Sequence, residues 1–246
     1  MWQLGINVSK CHVLTVTSSR VPVSNHVYFI NNTAISVCDN VLDLGITIST
    51  DMSFKNHIES IVSKSYQRLS VLFRGFVTRD MKFLCKAYIT FVRPLLEYNS
   101  IIWSPTEIYL IDLLEQVQRY FTRKIPAVRD LCYSDRLSAL NLPLLELRRL
   151  HADLIYYYKI FNNLTPHNPS DFFLVYHPPT ATRSASSYLH KPIKGNRKFH
   201  SFLCFRSVDA WNALTEETRR ATSILSFKRN LRRVDLNSFL IGSVTK

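Results

Sequence analysis

Residues 53–76 read SFKNHIESIVSKSYQRLSVLFRGF. Phe54, Ile58, Ile61, Leu69, Leu72 and Phe76 recur near the 3.6-residue period of an amphipathic helix, and Ser53 stands where an N-cap belongs. On the N-terminal side the rhythm is different. CHVLTVTS (11–18) is β-branched and apolar, and HVYFINNTAIS (26–36) sets Asn31-Asn32 between two apolar runs. Asn tolerates positive φ, so a two-residue hairpin is expected there. VLDLGITIS (41–49) follows as a further short strand, with Gly45 permitting close backbone approach. The chain therefore changes from β to α at residue 53. The fold class is α+β, mainly α: a small antiparallel β part followed by helices.

Outward from that switch, a second helix starts near Asp80 and carries Leu84, Tyr88, Phe91, Leu95, Tyr98 and Ile102. Pro94 lacks an amide donor, so a kink or break is expected inside it. A third helix, from about Thr106, presents Leu110, Leu114, Val117, Phe121 and Ile125 on one face. A short helix over 135–140 and a longer one over 143–163 follow, with Pro143 suited to a first helical position. LTPHNPSDFF (164–173), HPPTATRSASS (177–187) and HKPIKGNRK (190–198) are rich in Pro, Ser and basic residues and read as irregular chain. Helix returns over 207–214 and 226–233. The organisation is a β-rich part (1–52), a helical domain (53–165), a linker (166–198) and a small basic helical tail (199–246).

Composition agrees. Of 246 residues 46% are hydrophobic and only 5 are Gly, which favours long helices over a loop-rich sandwich. No run of about 18 apolar residues occurs, so no membrane span is expected. Cys11, Cys38, Cys85, Cys132 and Cys204 are scattered without a CxxC pair and fit a reducing, intracellular compartment, nucleus or cytoplasm alike. His190, His200 and Cys204 come nearest to a zinc cluster but lack a paired-Cys arm, so no metal is expected.

The net charge of +13 is concentrated in two blocks. Residues 55–130 hold 12 Lys and Arg against 7 Asp and Glu, and residues 181–246 hold 13 against 4. Such blocks suit a polyanion held by phosphate neutralisation, or else a merely solvated basic surface. Enzyme templates are missing: there is no GxSxG, no phosphate-cradling glycine loop and no Asp-Asp dipeptide. Glu216 and Glu217 are adjacent on a helix, so their side chains diverge.

Several stretches, taken in order, look familiar. WQLGINVSKCHVL (2–14), YFINNTAI (28–35) and DLGITISTDMSFKNHI (43–58) come first. AYITFVRPLLEYNSIIWSP (87–105), LEQVQRYFTRKI (114–125), YSDRLSALNLPLLELRRLHADLIYYYKI (133–160) and SFLCFRSVDAWNAL (201–214) follow. Together they resemble the end of the palm, the thumb and the post-thumb region of non-LTR (LINE-type, Jockey-like) retrotransposon reverse transcriptases, over roughly residues 2–233. The resemblance implies that the first strand corresponds to a palm motif in which Asn7 and Lys10 match an N..K pattern. In the family that lysine lies near the incoming nucleotide and acts towards the pyrophosphate leaving group. It further implies that Leu44 and Gly45 form a turn gripping the primer end. A strand bend with Leu42 and Leu44 in the core is the alternative. Family members hold two metal ions, Mg in an intact polymerase, on Asp residues of two earlier palm motifs. This sequence carries no such motif, so no cofactor is expected, Lys10 is catalytic only if joined to a missing palm half, and no polymerisation is expected.

The thumb-like part implies RNA or RNA–DNA duplex as partner. Lys55, Lys64, Arg68, Arg74, Arg79 and Lys82 form one candidate phosphate-binding group; Arg119, Arg123, Lys124 and Arg129 form another, which the helix macrodipole alone also explains. Lys191, Lys194, Arg197, Lys198, Arg219, Arg220, Lys228, Arg229, Arg232 and Arg233 make the tail basic enough to touch RNA. Arg93 with Glu97, Arg148 with Arg149, and Arg136 with Asp135 or Asp153 read as packing pairs. Trp103, Tyr156, Tyr157, Tyr158 and Trp211 read as core. The leading expectation is a truncated reverse-transcriptase-derived polypeptide that retains template–primer binding. A non-enzymatic helical interaction module and a fragment of an intact RNA-directed DNA polymerase are the alternatives. Exposed sheet edges imply self-association.

Overall fold

A computed structural model of the chain describes residues 5–16, 26–176, 188–191 and 201–242. Of the described residues 56% are helical and 10% strand, which makes this a mainly helical α+β protein. The chain divides into two compact units, residues 1–60 and 61–246.

In the first unit, Val8–Lys10 form a single 3-10 turn whose N-cap Asn7 accepts from the Ser9 amide at 3.1 Å. Asn7 and Lys10 thus lie on a capped turn and not on a strand. Among the described residues six short strands follow: β1 (His12–Val13), β2 (Phe29–Ile30), β3 (Thr33–Ala34), β4 (Ser36–Val37), β5 (Asn40–Asp43) and β6 (Ile46–Ser49). β2–β3 and β5–β6 pair antiparallel, whereas β1 and β4 pair in parallel, a departure from the all-antiparallel expectation. Asn31 (φ 48°) and Asn32 (φ 60°) make the expected β2–β3 turn. The stretch 41–49 is a second hairpin, not one strand. Its turn residues Leu44 (φ 44°) and Gly45 (φ 85°) are both left-handed, as a two-residue hairpin turn of matching twist requires. Leu42 and Leu44 are 70% and 81% exposed, so neither belongs to the core. Ile46 is buried, and buried His57 accepts the Thr47 amide proton on Nδ1 at 3.3 Å.

The helix α1 (Lys55–Gly75) begins in the first unit and runs on into the second. Ser53 Oγ accepts from the Lys55 amide at its start, and Ile61, Val62, Leu69 and Leu72 form its buried stripe. Asp80 caps α2 (Met81–Ala87), its carboxylate accepting from the Phe83 amide at 2.7 Å. The expected break at Pro94 takes a particular form. α2 widens into a π-helical turn, Tyr88–Val92, before α3 (Arg93–Glu97) resumes with Pro94 in its first turn, where no donor is needed. Asn99 (φ 52°) then starts α4 (Ser100–Trp103). What the sequence periodicity reads as one helix is therefore four consecutive pieces.

α5 (Ile108–Arg123) buries Leu110, Leu114, Val117 and Phe121, and Ile125 is buried just beyond its end. α6 (Tyr133–Leu140) ends on Asn141 at φ 50°. α7 (Leu145–Phe161) begins two residues after Pro143, which lies before the helix and not in it. α8 (Pro169–Phe172), the antiparallel pair β7 (Leu174–Tyr176) and β8 (Tyr188–His190), α9 (Leu203–Arg206), α10 (Val208–Ala213), α11 (Glu216–Arg219) and α12 (Ile224–Leu231) complete the unit.

α7 is its centre, touching α4, α5, α10 and α12. Tyr157 and Phe161 pack on Trp211, each 5.4 Å between ring centroids, and Tyr158 stacks on Phe227 at 4.5 Å. Phe173 and Leu189 join the same cluster. Residues on both sides of the segment 166–198 thus share one core. Trp103, Tyr157, Tyr158 and Trp211 are buried as expected of core aromatics, and Tyr156 is half-buried.

Candidate nucleic-acid interface

Between Ile61 and Val92 the chain carries Lys64, Arg68, Arg74, Arg79, Lys82 and Lys86 against a single acid, Asp80, whose carboxylate is occupied in capping α2. All six cations are exposed, and among the described residues none of them forms an ion pair. The arginines are nonetheless fixed. Arg68 Nη1 donates to the Phe91 carbonyl at 2.8 Å, Arg74 Nε to Ser70 O at 3.3 Å, and Arg79 Nη1 to Phe76 O at 2.6 Å. Carbonyl acceptors neutralise nothing, so each guanidinium keeps its full charge and its remaining donors. Lys64 and Arg68 are four residues apart on α1, whereas Arg74 lies about a third of a turn round the helix from Arg68.

Other sequence-predicted residues are placed differently. Lys55 pairs with Glu59 at 3.8 Å on the exposed surface. Lys10 ends its 3-10 turn exposed, and Leu44 and Gly45 form the hairpin apex of the first unit. At the end of α5, Arg123 is exposed and Lys124 lies over the Tyr120 ring at 5.3 Å. Arg119 is bound to Asp112 at 2.9 Å and Arg129 to Asp130 at 3.4 Å, which removes both from that group's open charge. Lys191 pairs with Asp209 and Arg220 with Glu216. Lys194, Arg197, Lys198 and His200 lie outside the described residues.

The strongest departures from ordinary acidity are in the interior instead, where a catalytic centre would be sought. Glu115, on α5, accepts from Tyr133 Oη, Gln118 Nε2 and the Leu145 amide; burial holds its carboxyl above the usual range. Burial likewise pushes the Tyr133 phenol up. Asp153 on α7 accepts from Arg206 Nε and Nη2, each at 2.7 Å, and from Ser207 Oγ at 2.8 Å. The pair is 2% and 5% exposed. Asp153 therefore has Arg206, not Arg136, as its partner. Arg136 instead donates to the carbonyls of Arg129 and Leu131. Glu97 receives Arg148 as well as Arg93, tying α3 to α7. Arg149 is fully buried, and its guanidinium nitrogens have no hydrogen-bond partner among the described residues, with Glu115, Glu146 and Asp153 supplying counter-charge. The opening beside Glu146, Asp153 and Arg206 has a volume of about 40 Å³, scarcely more than a water's share of the liquid. These ionic groups join helices, and the opening beside Glu146, Asp153 and Arg206 is too small for a substrate. Among the described residues no group of three or more His, Cys, Asp or Glu could hold a metal ion, and no helix is long and apolar enough to cross a membrane.

The larger opening has Arg68 in its wall. Gln67, Arg68, Val71, Leu72 and Gly75 of α1, with Phe76 and Phe91, line a groove of about 560 Å³. Phe91, on the π turn, is 55% exposed, and Phe76 is 37% exposed and held edge-on by Phe83 at 4.9 Å. Sequence periodicity places Phe76 and Phe91 on buried helix faces. The widened turn, which no periodicity predicts, leaves Phe91 exposed.

No known family profile matches the chain, and no solved structure does. An uncharacterized protein of Caenorhabditis elegans is 28% identical over 131 residues, a match covering 52% of this chain and 66% of that protein's length.

Proposed function

We propose that this chain is a reverse-transcriptase-like polypeptide that binds RNA or an RNA–DNA duplex through its helical unit and does not itself catalyse polymerisation. One observation carries the reading: the exposed cations Lys64, Arg68, Arg74, Arg79, Lys82 and Lys86 face a single, already occupied acid. Phosphate contacts need charge that neighbouring carboxylates have not cancelled, and such binding is driven largely by counterion release. The order of the sequence motifs supports the same assignment, since the family places a thumb beside template and primer. The lack of an Asp-Asp dipeptide supports binding without turnover.

The test is duplex affinity as a function of salt. For wild type, log K against log salt should fall steeply. In the Lys64→Ala/Arg68→Ala/Arg74→Ala variant the slope should lessen by roughly 0.9 for each phosphate that is no longer neutralised. Circular dichroism should show unchanged helicity. Unaltered binding by the folded variant would favour a protein-interaction module instead.

A further inference from the structure

We infer that the groove between α1 and the π turn is a seat for unpaired nucleotides, a single-stranded end that enters base-first while Arg68 and Arg79 beside the two rings hold its phosphates. This rests on the nucleic-acid-binding reading above and adds to it a second, structurally distinct kind of contact. A duplex shows a protein its phosphates and groove edges. An unpaired base also offers a flat π face that aromatic side chains can cover.

Both kinds of contact meet here. Phe76 and Phe91 expose ring surface to one opening, and Val71 and Leu72 floor it. Each ring's own backbone carbonyl holds a guanidinium, Arg79 on Phe76 and Arg68 on Phe91. The two cations are thereby fixed beside the two rings, and both retain donors for phosphate oxygens. The occupant must bring apolar surface and negative charge next to each other, because each cation is fixed to the backbone of the residue whose ring lines the groove. With six cations and one capped acid between Ile61 and Val92, an anionic occupant is favoured. A nucleotide chain has both properties. An acidic amphipathic helix has them less completely, because its carboxylates lie on the face opposite its apolar stripe. The volume of about 560 Å³ is in the range of sites that bury small ligands.

Gly75 makes the test clean. A Cβ built there meets nothing within 4 Å, so a side chain can be added at this groove-lining position without a clash at its Cβ. The full chain, with Phe91→Ala, Gly75→Leu and wild type compared, would be titrated into a labelled single-stranded RNA and into a blunt RNA–DNA duplex of the same sequence. Fluorescence anisotropy reports both affinities. The expected result is that each variant binds the single strand about tenfold more weakly while its duplex affinity changes less than twofold, since stacking contributes separately from phosphate contacts. If wild type binds the duplex but both variants hold the single strand as tightly as wild type does, the inference is overturned and the broader reading stands. If wild type binds neither probe, both fail together. A helical acidic peptide that binds wild type but not Gly75→Leu, with single-strand binding unchanged, would overturn the inference in favour of a protein ligand.

Discussion

His151 lies on α7 with its Nε2 buried and unpartnered among the described residues. Burial, with Arg148 and Arg232 nearby, disfavours the imidazolium and lowers its pKa below the ordinary 6.5. As pH falls through 6.5 the unfolded chain takes up this proton before the folded one does. Over that window the unfolded state binds more protons, and stability falls with pH. His151→Gln removes this proton-linked loss. Urea denaturation at about pH 7.5 and about pH 5 should therefore show a larger drop for wild type than for the variant; equal drops would mean that His151 is solvated in solution. Nothing in the sequence marks this residue. A lone His on a helix shows its environment only once the helices around it are assembled. For the same reason the sequence suggests the wrong arginine for Asp153: its true partner is 53 positions away.

The β5–β6 hairpin places an ordinary leucine in the left-handed region, at φ 44°. That conformation costs an L-residue roughly 1–2 kcal/mol, and Asn adopts it more readily. Leu44→Asn should stabilise the folded chain against urea by a few tenths of a kcal/mol or more. If Leu44 grips a primer strand, as the resemblance implies, the same change should weaken duplex binding. A variant no more stable than wild type would show that the hairpin tolerates leucine without cost. The two hairpins differ in how plainly the sequence announces them. Asn31-Asn32 uses the residue chemistry that turns favour, whereas a Leu-Gly pair between apolar residues reads as continuous strand. Helices divide similarly. α5 and α7 follow from apolar spacing. At Pro94 the sequence foretells a disruption but not its form, because a π turn depends on what the neighbouring carbonyls find to bond with. The Phe91 carbonyl finds Arg68. The candidate interface is half legible in consequence: its cations can be counted in the sequence, but the groove beside them cannot be seen there.

At the scale of the whole molecule, its small sheets are the exposed point. Each of the four sheets among the described residues has only two strands, which leaves outer backbone groups unpaired, and Phe29, Val37 and Leu42 are exposed apolar residues beside them. Unpaired edges with apolar side chains template further pairing. Light scattering at tens of micromolar should show species larger than the 28.6 kDa chain. A monodisperse monomer would mean that these edges are covered in solution. Salt should not dissolve the association, in contrast to nucleic-acid binding, because backbone pairing involves no counterion release.

The Arg206 clasp has a consequence in time as well as in space. Its guanidinium bonds the carbonyl of Ile101 at 2.8 Å and that of Ser100 at 3.4 Å, besides the Asp153 carboxylate. On the ribosome, α4 and α7 emerge long before the side chain that joins them. At ordinary elongation rates of about 5–20 residues per second, the 53 residues separating Asp153 from Arg206 take on the order of 3–10 s to make. During that interval the carboxylate lacks the two hydrogen bonds that the Arg206 guanidinium brings, and α4 lacks the donor that ties its carbonyls to α7. The clasp between α4 and α7 is therefore expected to close only after Arg206 has been made.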